Sequence, residues 1–143
     1  MKPFSFVSEF QRSRLILTLL ALLVIALGLA SRRSFSPFPA MLGNYPGDAL
    51  WAWVVLLCVA WLRPAIARGR LVAWSLVIAF AIEFLQLYQA PWIQALRANK
   101  LAYLVLGNGF DPLDLAAYVL GIALGVAVDL VWQRLRPVRP RRG

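Results

Sequence analysis

Four long apolar stretches, separated by short polar breaks, set the pattern of the chain. From Leu15 to Ala30 there is no charge and scarcely a polar atom. Residues 31–47 then gather Arg32, Arg33, Pro37, Pro39, Gly43, Asn44, Pro46 and Gly47, a composition that reads as a loop. A second apolar run extends from about Asp48 to Leu62, with Trp51, Trp53 and Trp61 near its ends, where amphipathic indoles favour the headgroup level. A basic turn from Arg63 to Arg70, with Pro64 and Gly69, leads to a third run from about Leu71 to Tyr88 that carries Glu83 and Gln86 in its second half. Residues 89–110 are too interrupted to span, holding Pro91, Arg97, Lys100 and the Gly107-Asn108-Gly109 turn; within them Leu101 to Leu106 is either interfacial or re-entrant. The last run covers Leu113 to Trp132.

A bilayer core of roughly 30 Å needs about 20 helical residues, and a somewhat short run is accommodated by local thinning or flanking residues. The pattern therefore predicts an all-α, polytopic transmembrane helix bundle with four spans, at about 15–30, 48–62, 71–88 and 113–132, plus one short interfacial or re-entrant segment. These form a single transmembrane domain over residues 1–133, and residues 134–143 form a basic tail expected to be disordered.

Composition supports this picture: 62% of the 143 residues are hydrophobic, 15% are charged, and mean hydropathy is +0.72. A soluble core could not hide that much apolar surface. The formal charge of +9 is concentrated beside the apolar runs, so it reads as topology signals and contact with anionic lipid rather than as a nucleic-acid surface, the tail arginines Arg134, Arg136, Arg139, Arg141 and Arg142 included. The N-terminal stretch mixes Lys2, Arg12 and Arg14 with Phe4, Phe6, Val7 and Phe10, as an interfacial lead-in does. With that segment, Arg63, Arg68 and Arg70 of the middle turn and the tail on one side, the opposite side keeps Arg32, Arg33, Arg97 and Lys100. The positive-inside rule then puts both termini in the cytoplasm. The first run has an alternative reading as the apolar region of a signal peptide, with Gly28-Leu29-Ala30 before Ser31 as its cleavage site, but its length favours a retained span.

Chemistry is bounded by two scarcities. Cys58 is the single cysteine, inside an apolar run, and the chain contains no histidine, so His-containing triads, Cys/His pairs and Cys- or His-ligated metal sites cannot be built. Neither a cofactor nor a metal is expected. The costly polar residues fall toward the outer face: Asp48 opens the second span, Asp111 and Asp114 open the fourth, and Glu83 lies about twelve residues, or roughly 18 Å, along the third. Glu83 and Gln86 share a helix face. A carboxylate there must be neutralised, by Arg97, by another outer arginine or by its own proton, and serves either as a structural ion pair or as a ligand-binding or proton-handling group. Asp111-Pro112-Leu113-Asp114 has the form of a helix start, with Asp111 as the cap. Asp114 points the same way as Ala117, Tyr118, Gly121 and Gly125, the two glycines being helix-packing positions. Asp48 is either a cap or a site residue, and Asp129 is expected to pair with tail arginines.

Glu83-Phe84-Leu85-Gln86, then Arg97, then Asp114 to Gly121 resemble the VanZ-like family of small bacterial membrane proteins, which shows Glu-x-x-Gln on one helix, Arg in the following loop, and Asp with Gly seven residues on. Tyr118 stands where that family usually has Asn, and Asn99 and Ala102 stand where Thr and Gly are usual. The chain is more similar still to the bacterial domain-of-unknown-function 2809 family of small integral membrane proteins. That likeness is carried by Gly28 to Arg32, Gly47 to Ala52, Glu83 to Gln89 with Pro91, and Tyr118. The resemblance implies a bundle in the bacterial inner (cytoplasmic) membrane with a polar cluster and no settled activity.

The functional expectation is a binding protein. Arg32, Asp48, Glu83, Gln86, Arg97, Asp114 and Tyr118 would form an outer-leaflet cluster that recognises a lipid or amphiphile headgroup, with membrane lipids as partners. The alternatives are an enzyme acting on a lipid-linked substrate and a structural subunit that packs against itself or a membrane partner.

Overall fold

A computed structural model of the chain describes residues 12–32 and 37–135. Six helices follow in order: α1 (Arg14–Ser31), α2 (Tyr45–Leu62), α3 (Arg68–Leu85), α4 (Pro91–Arg97), α5 (Lys100–Leu106) and α6 (Pro112–Leu135), with a 3₁₀ turn at Ala40–Leu42 ahead of α2. No strand occurs among the described residues. The N-terminal lead-in before Arg12, Arg33 and the tail arginines beyond Leu135 lie outside them.

The local causes are legible. Pro46 in the first turn of α2 and Pro91 at the start of α4 occupy positions where a missing N–H costs nothing. Asn99 starts α5 by accepting from the N–H groups of Leu101 (2.9 Å) and Ala102 (3.3 Å). Asp111 starts α6 in the same way, its Oδ1 accepting from Leu113 N at 2.9 Å.

The four long helices share two ends. At one end Arg12, just before α1, donates through Nε and Nη2 to the two carboxylate oxygens of Asp129 on α6, each at 2.8 Å, and through Nη1 to the carbonyls of Pro64 and Ile66 in the α2–α3 turn. Arg68 reaches Gln133 at 2.6 Å and lies 4.0 Å from Asp129. Asp129 thus takes its arginines from the beginnings of α1 and α3, a correction to the tail pairing anticipated for it. At the other end Arg32 pairs with Asp48, and Glu83 of α3 meets α6.

Helix α2 is the central element, packing on α1, α3 and α6. Its Leu50, Ala52, Leu56, Leu57 and Ala60 are buried, with Leu17 and Val24 of α1, Leu71 and Ala79 of α3, and Tyr118 and Ile122 of α6 completing the core. The approach of α6 to α2 depends on two glycines. A Cβ on Gly121 would stand 1.8 Å from the Ala49 carbonyl oxygen, and one on Gly125 would meet Trp53 at 2.6 Å. These small residues are used within the chain. Trp51 and Trp53 are likewise packed inward, against Tyr118 and Gly125, whereas Trp61 faces out beneath Arg14, whose guanidinium carbon is 5.1 Å from the ring centre.

The remaining apolar surface points outward. Leu15, Leu19, Leu22 and Leu23 of α1 and Leu113, Leu120, Leu124 and Val131 of α6 are all exposed. Helices apolar on both faces suit a bilayer. Among the described residues three helices, α1, α2 and α6, are long and apolar enough to cross a membrane by length and composition alone, one fewer than the four expected. The fourth, α3, has the same length as α1 and α2 but holds Arg68, Arg70 and Glu83 within its 18 residues. The interrupted region folds as α4 and α5, neither long enough to span, with α5 lying against α3 and α4.

Candidate functional site

Glu83 and Gln86, one helical turn apart at the end of α3, form the floor of the polar end of the bundle. Glu83 is fully buried. Its Oε1 accepts from the backbone N–H of Asp111 at 2.9 Å, and its Oε2 accepts from Gln86 Nε2 at 2.8 Å and from the Tyr118 hydroxyl at 2.6 Å. A carboxylate is an acceptor-only group, and these three donors, all uncharged, satisfy it without a cation. The Gln86 amide oxygen in turn accepts from Gly109 N at 2.8 Å.

This last bond shapes the Gly107-Asn108-Gly109 turn. Gly107 has φ of +61°, a left-handed conformation that favours glycine, and a Cβ there would meet the Gln86 amide at 2.7 Å. The turn therefore wraps over Gln86 and delivers Asp111 to the start of α6, its N–H onto Glu83. Asp111 uses both carboxylate oxygens, one on Leu113 N and the other accepting from the Tyr45 hydroxyl at 3.2 Å.

Above this floor lies a cavity of about 410 Å³. Its wall includes Arg32, Tyr45, Asp48, Trp51, Gln86, Asp111, Asp114 and Tyr118, together with the Gly107–Gly109 turn and Tyr103, Leu104 and Val105 of α5. Arg32 Nη2 donates to Asp48 Oδ1 at 2.8 Å, and its Nε and Nη1 make no hydrogen bond to the described residues. The side chain of Asp114, a half-buried residue, makes no hydrogen bond or ion pair among them. The wall's charged groups are thus three carboxylates and one guanidinium, so the cavity is electronegative. The Trp51 and Tyr118 rings, 5.3 Å apart and tilted by 48°, give it an aromatic side.

Of the residues singled out from the sequence, Arg32, Asp48, Gln86, Asp114 and Tyr118 line one cavity, and Glu83 lies directly behind it. Arg97 stands apart. Its buried guanidinium donates to the carbonyls of Leu85 and Tyr88, each at 3.0 Å, and so satisfies the C-terminal end of α3, where carbonyls lack helical partners. It borders another, open hollow with Lys100, on the far side of Tyr103 and Leu104, which line both. Tyr45 and the Gly107–Gly109 turn were not anticipated as site elements. Their signals were the Pro46-Gly47-Asp48 start that follows Tyr45, and a Gly-Asn-Gly turn placed just ahead of Asp111-Pro112.

The site holds no group of three or more His, Cys, Asp or Glu side chains arranged for a metal among the described residues. The groups it presents are one partly free guanidinium, one unpartnered carboxylate, hydroxyl and amide groups, and two aromatic rings.

No solved structure matches the chain. The model of a family described as "Protein of unknown function (DUF2809)" matches residues 38–122, well over half of the sequence. That segment begins before α2, ends just past Gly121, and contains every acid of the cavity, while Arg32 precedes it. The family's segment supplies all of the cavity wall but Arg32, and the chain belongs to the DUF2809 family.

Proposed function

We propose that the chain is a multi-pass protein of the bacterial cytoplasmic membrane whose polar cavity opens at the outer leaflet and receives the headgroup of a lipid or other amphiphile without transforming it. The observation that carries this reading is the gathering of Arg32, Asp48, Asp114 and Tyr118 around one cavity at one end of an otherwise apolar bundle. Polar groups at membrane depth are costly and tend to mark function.

In this reading α3 crosses the membrane beside α1, α2 and α6. It begins and ends at the same two levels as they do, Arg68 and Arg70 lie in its first turn, and Glu83 is covered by protein donors. Orientation is supported by charge: Arg12, Arg14, Arg63, Arg68, Arg70 and Arg134 surround the end remote from the cavity, so that end is cytoplasmic and both termini lie there. The absence of histidine and the single cysteine favour binding over catalysis.

The test is lipid retention. Purified full-length chain, exchanged into detergent from membranes of defined phospholipid, is expected to keep about one lipid per chain, and Asp48→Asn combined with Asp114→Asn is expected to lose it. Retention equal in wild type and variant would overturn the reading. Conversion of the lipid into a new product would replace it with the enzymatic one.

A further inference from the structure

A second cavity, of about 350 Å³, runs between α1 and α2 beneath α5, lined by Val24, Gly28, Leu50, Val54, Leu101 and other apolar side chains. It is not separate from the first. Arg32, Trp51, Leu104 and Val105 line both, so a polar chamber and an apolar groove meet at one mouth with a guanidinium beside it.

From this junction we infer that the ligand is a phospholipid whose headgroup carries a phosphate followed by a primary amine, seated with its phosphate at Arg32, its ammonium on Asp114 and one acyl chain in the α1–α2 groove. The inference rests on the headgroup-binding reading above and specifies its ligand. Three observations converge on it. The groove is apolar and begins where the polar chamber ends, which matches the boundary between the chain and the head of an amphiphile. Arg32 stands at that boundary with Nε and Nη1 uncommitted to the described residues, so its guanidinium keeps N–H donors for a phosphate oxygen beyond the one given to Asp48. Away from that boundary the chamber's ionisable groups are acids, Asp111 and Asp114, which line the chamber and not the groove.

Asp48 is held by Arg32, and Asp111 is committed to Leu113 N and Tyr45, which leaves the Asp114 carboxylate to be matched by a cation. A primary ammonium donates hydrogen bonds to carboxylates, which a trimethylated one cannot do, and a headgroup ending in hydroxyls brings no positive charge. An anionic headgroup would put its charge against three acids for one arginine. The chamber therefore selects phosphate and amine in that order from the chain outward.

The experiment uses full-length protein in detergent with phosphatidylethanolamine, phosphatidylglycerol and phosphatidylcholine of identical acyl chains, plus chainless glycerophosphoethanolamine, and native mass spectrometry to read occupancy. Phosphatidylethanolamine is expected to bind about tenfold more tightly than phosphatidylglycerol and several-fold more tightly than phosphatidylcholine, roughly the contribution of one charge-assisted hydrogen bond. Asp114→Asn should bring it down to the phosphatidylglycerol level, and Asp114→Glu should restore the preference, which separates loss of the carboxylate from loss of fold. Val54→Trp, which fills the groove and does not border the polar chamber, should weaken all three lipids about tenfold and leave glycerophosphoethanolamine unaffected.

Equal binding of the ethanolamine and glycerol lipids, or a preference that survives Asp114→Asn, overturns the amine assignment while the headgroup site stands. Glycerophosphoethanolamine bound as tightly as the intact lipid overturns the groove assignment. Failure of every lipid and of glycerophosphoethanolamine to bind overturns the headgroup-binding reading itself.

Discussion

The hydroxyl of Tyr118 on α6 donates to Oε2 of Glu83 on α3 over 2.6 Å, between residues 35 positions apart. It is a bond between helices that are not consecutive in the chain, buried at both ends, and it closes the floor of the cavity. Asp111 N makes the parallel contact to Oε1, so α6 is tied to Glu83 at its start and again near its second turn. One carboxylate thereby sets the depth at which α6 sits against α3. The cavity inherits its shape from that register, because Asp111, Asp114 and Tyr118 all belong to the same stretch of chain at the head of α6.

Tyr118→Phe keeps the ring against Trp51 and removes one donor from a buried carboxylate. The expected cost is about 1–3 kcal/mol of stability, since an acceptor inside the protein loses its partner without gaining water. Thermal unfolding of the purified protein in detergent measures it. A double-mutant cycle with Glu83→Ala should show a coupling of at least about 0.5 kcal/mol in magnitude, on the order expected for residues in contact. Additive effects would mean that the two side chains act independently.

The two arginine–aspartate pairs at opposite ends of the bundle should behave differently. The Arg12 side chain is 6% exposed and binds Asp129 through two nitrogens, while that of Arg32 is 32% exposed and binds Asp48 through one. Arg12→Ala leaves a buried carboxylate with weaker partners and should cost about 3–5 kcal/mol, whereas Arg32→Ala should stay within about 1 kcal/mol. Arg12→Lys should not restore stability, because an ammonium cannot form the two-pronged contact and reach two carbonyls as well. Unfolding midpoints of the three variants decide the matter.

Much of this architecture could be read from the order of residues. The apolar runs gave α1, α2 and α6 to within a few residues, because an apolar stretch of that length has few other stable arrangements. The three-residue spacing of Glu83 and Gln86 placed them on one face, and Asp111-Pro112 marked the start of α6. What escaped was partner choice. Arg97 lies 14 positions after Glu83 with opposite charge, yet α4 turns its guanidinium onto the carbonyls of Leu85 and Tyr88, an outcome that depends on how two short helices fold back over α3. Trp51 and Trp53 carry the composition of interfacial anchors, and only the close approach permitted by Gly121 and Gly125 draws them inward. Asp129 likewise took its partners from the start of α1 and of α3, contacts made across the bundle rather than along the chain.

Glycine positions should separate by what stands beside them. Gly121→Ala drives a Cβ to within 1.8 Å of a backbone oxygen on α2, so two helices must part, and the protein should lose more than about 3 kcal/mol or fail to assemble. Gly125→Ala meets the Trp53 and Leu56 side chains, which can shift, and should cost less, about 1–3 kcal/mol. Gly69, in the first turn of α3, is exposed, and a Cβ added there would have nothing within 4 Å. Gly69→Ala should raise stability by about 0.5–1 kcal/mol through the smaller backbone entropy lost on helix formation. Unfolding midpoints in that order would confirm that α2 and α6 meet at Gly121.

Orientation in the membrane yields the last prediction. The chain has one cysteine, Cys58, within α2, so Cys58→Ser provides a background in which an introduced thiol reports alone. Asn108 lies exposed on the turn that covers the cavity, and Ala65 lies exposed in the α2–α3 turn beside Arg63 and Arg68. If the cavity faces outward, Asn108→Cys should react with a membrane-impermeant maleimide on intact cells, and Ala65→Cys should react only after the membrane is opened. The physical basis is the charge of the two levels: six arginines of the described chain ring the Ala65 end, while Arg32, Arg97 and Lys100 are the cations at the other. Retention of basic residues on the cytoplasmic side sets which end stays there. Labelling of Ala65→Cys from outside would invert the protein and place the cavity against the cytoplasmic leaflet, where the same headgroup would have to be drawn from the opposite monolayer.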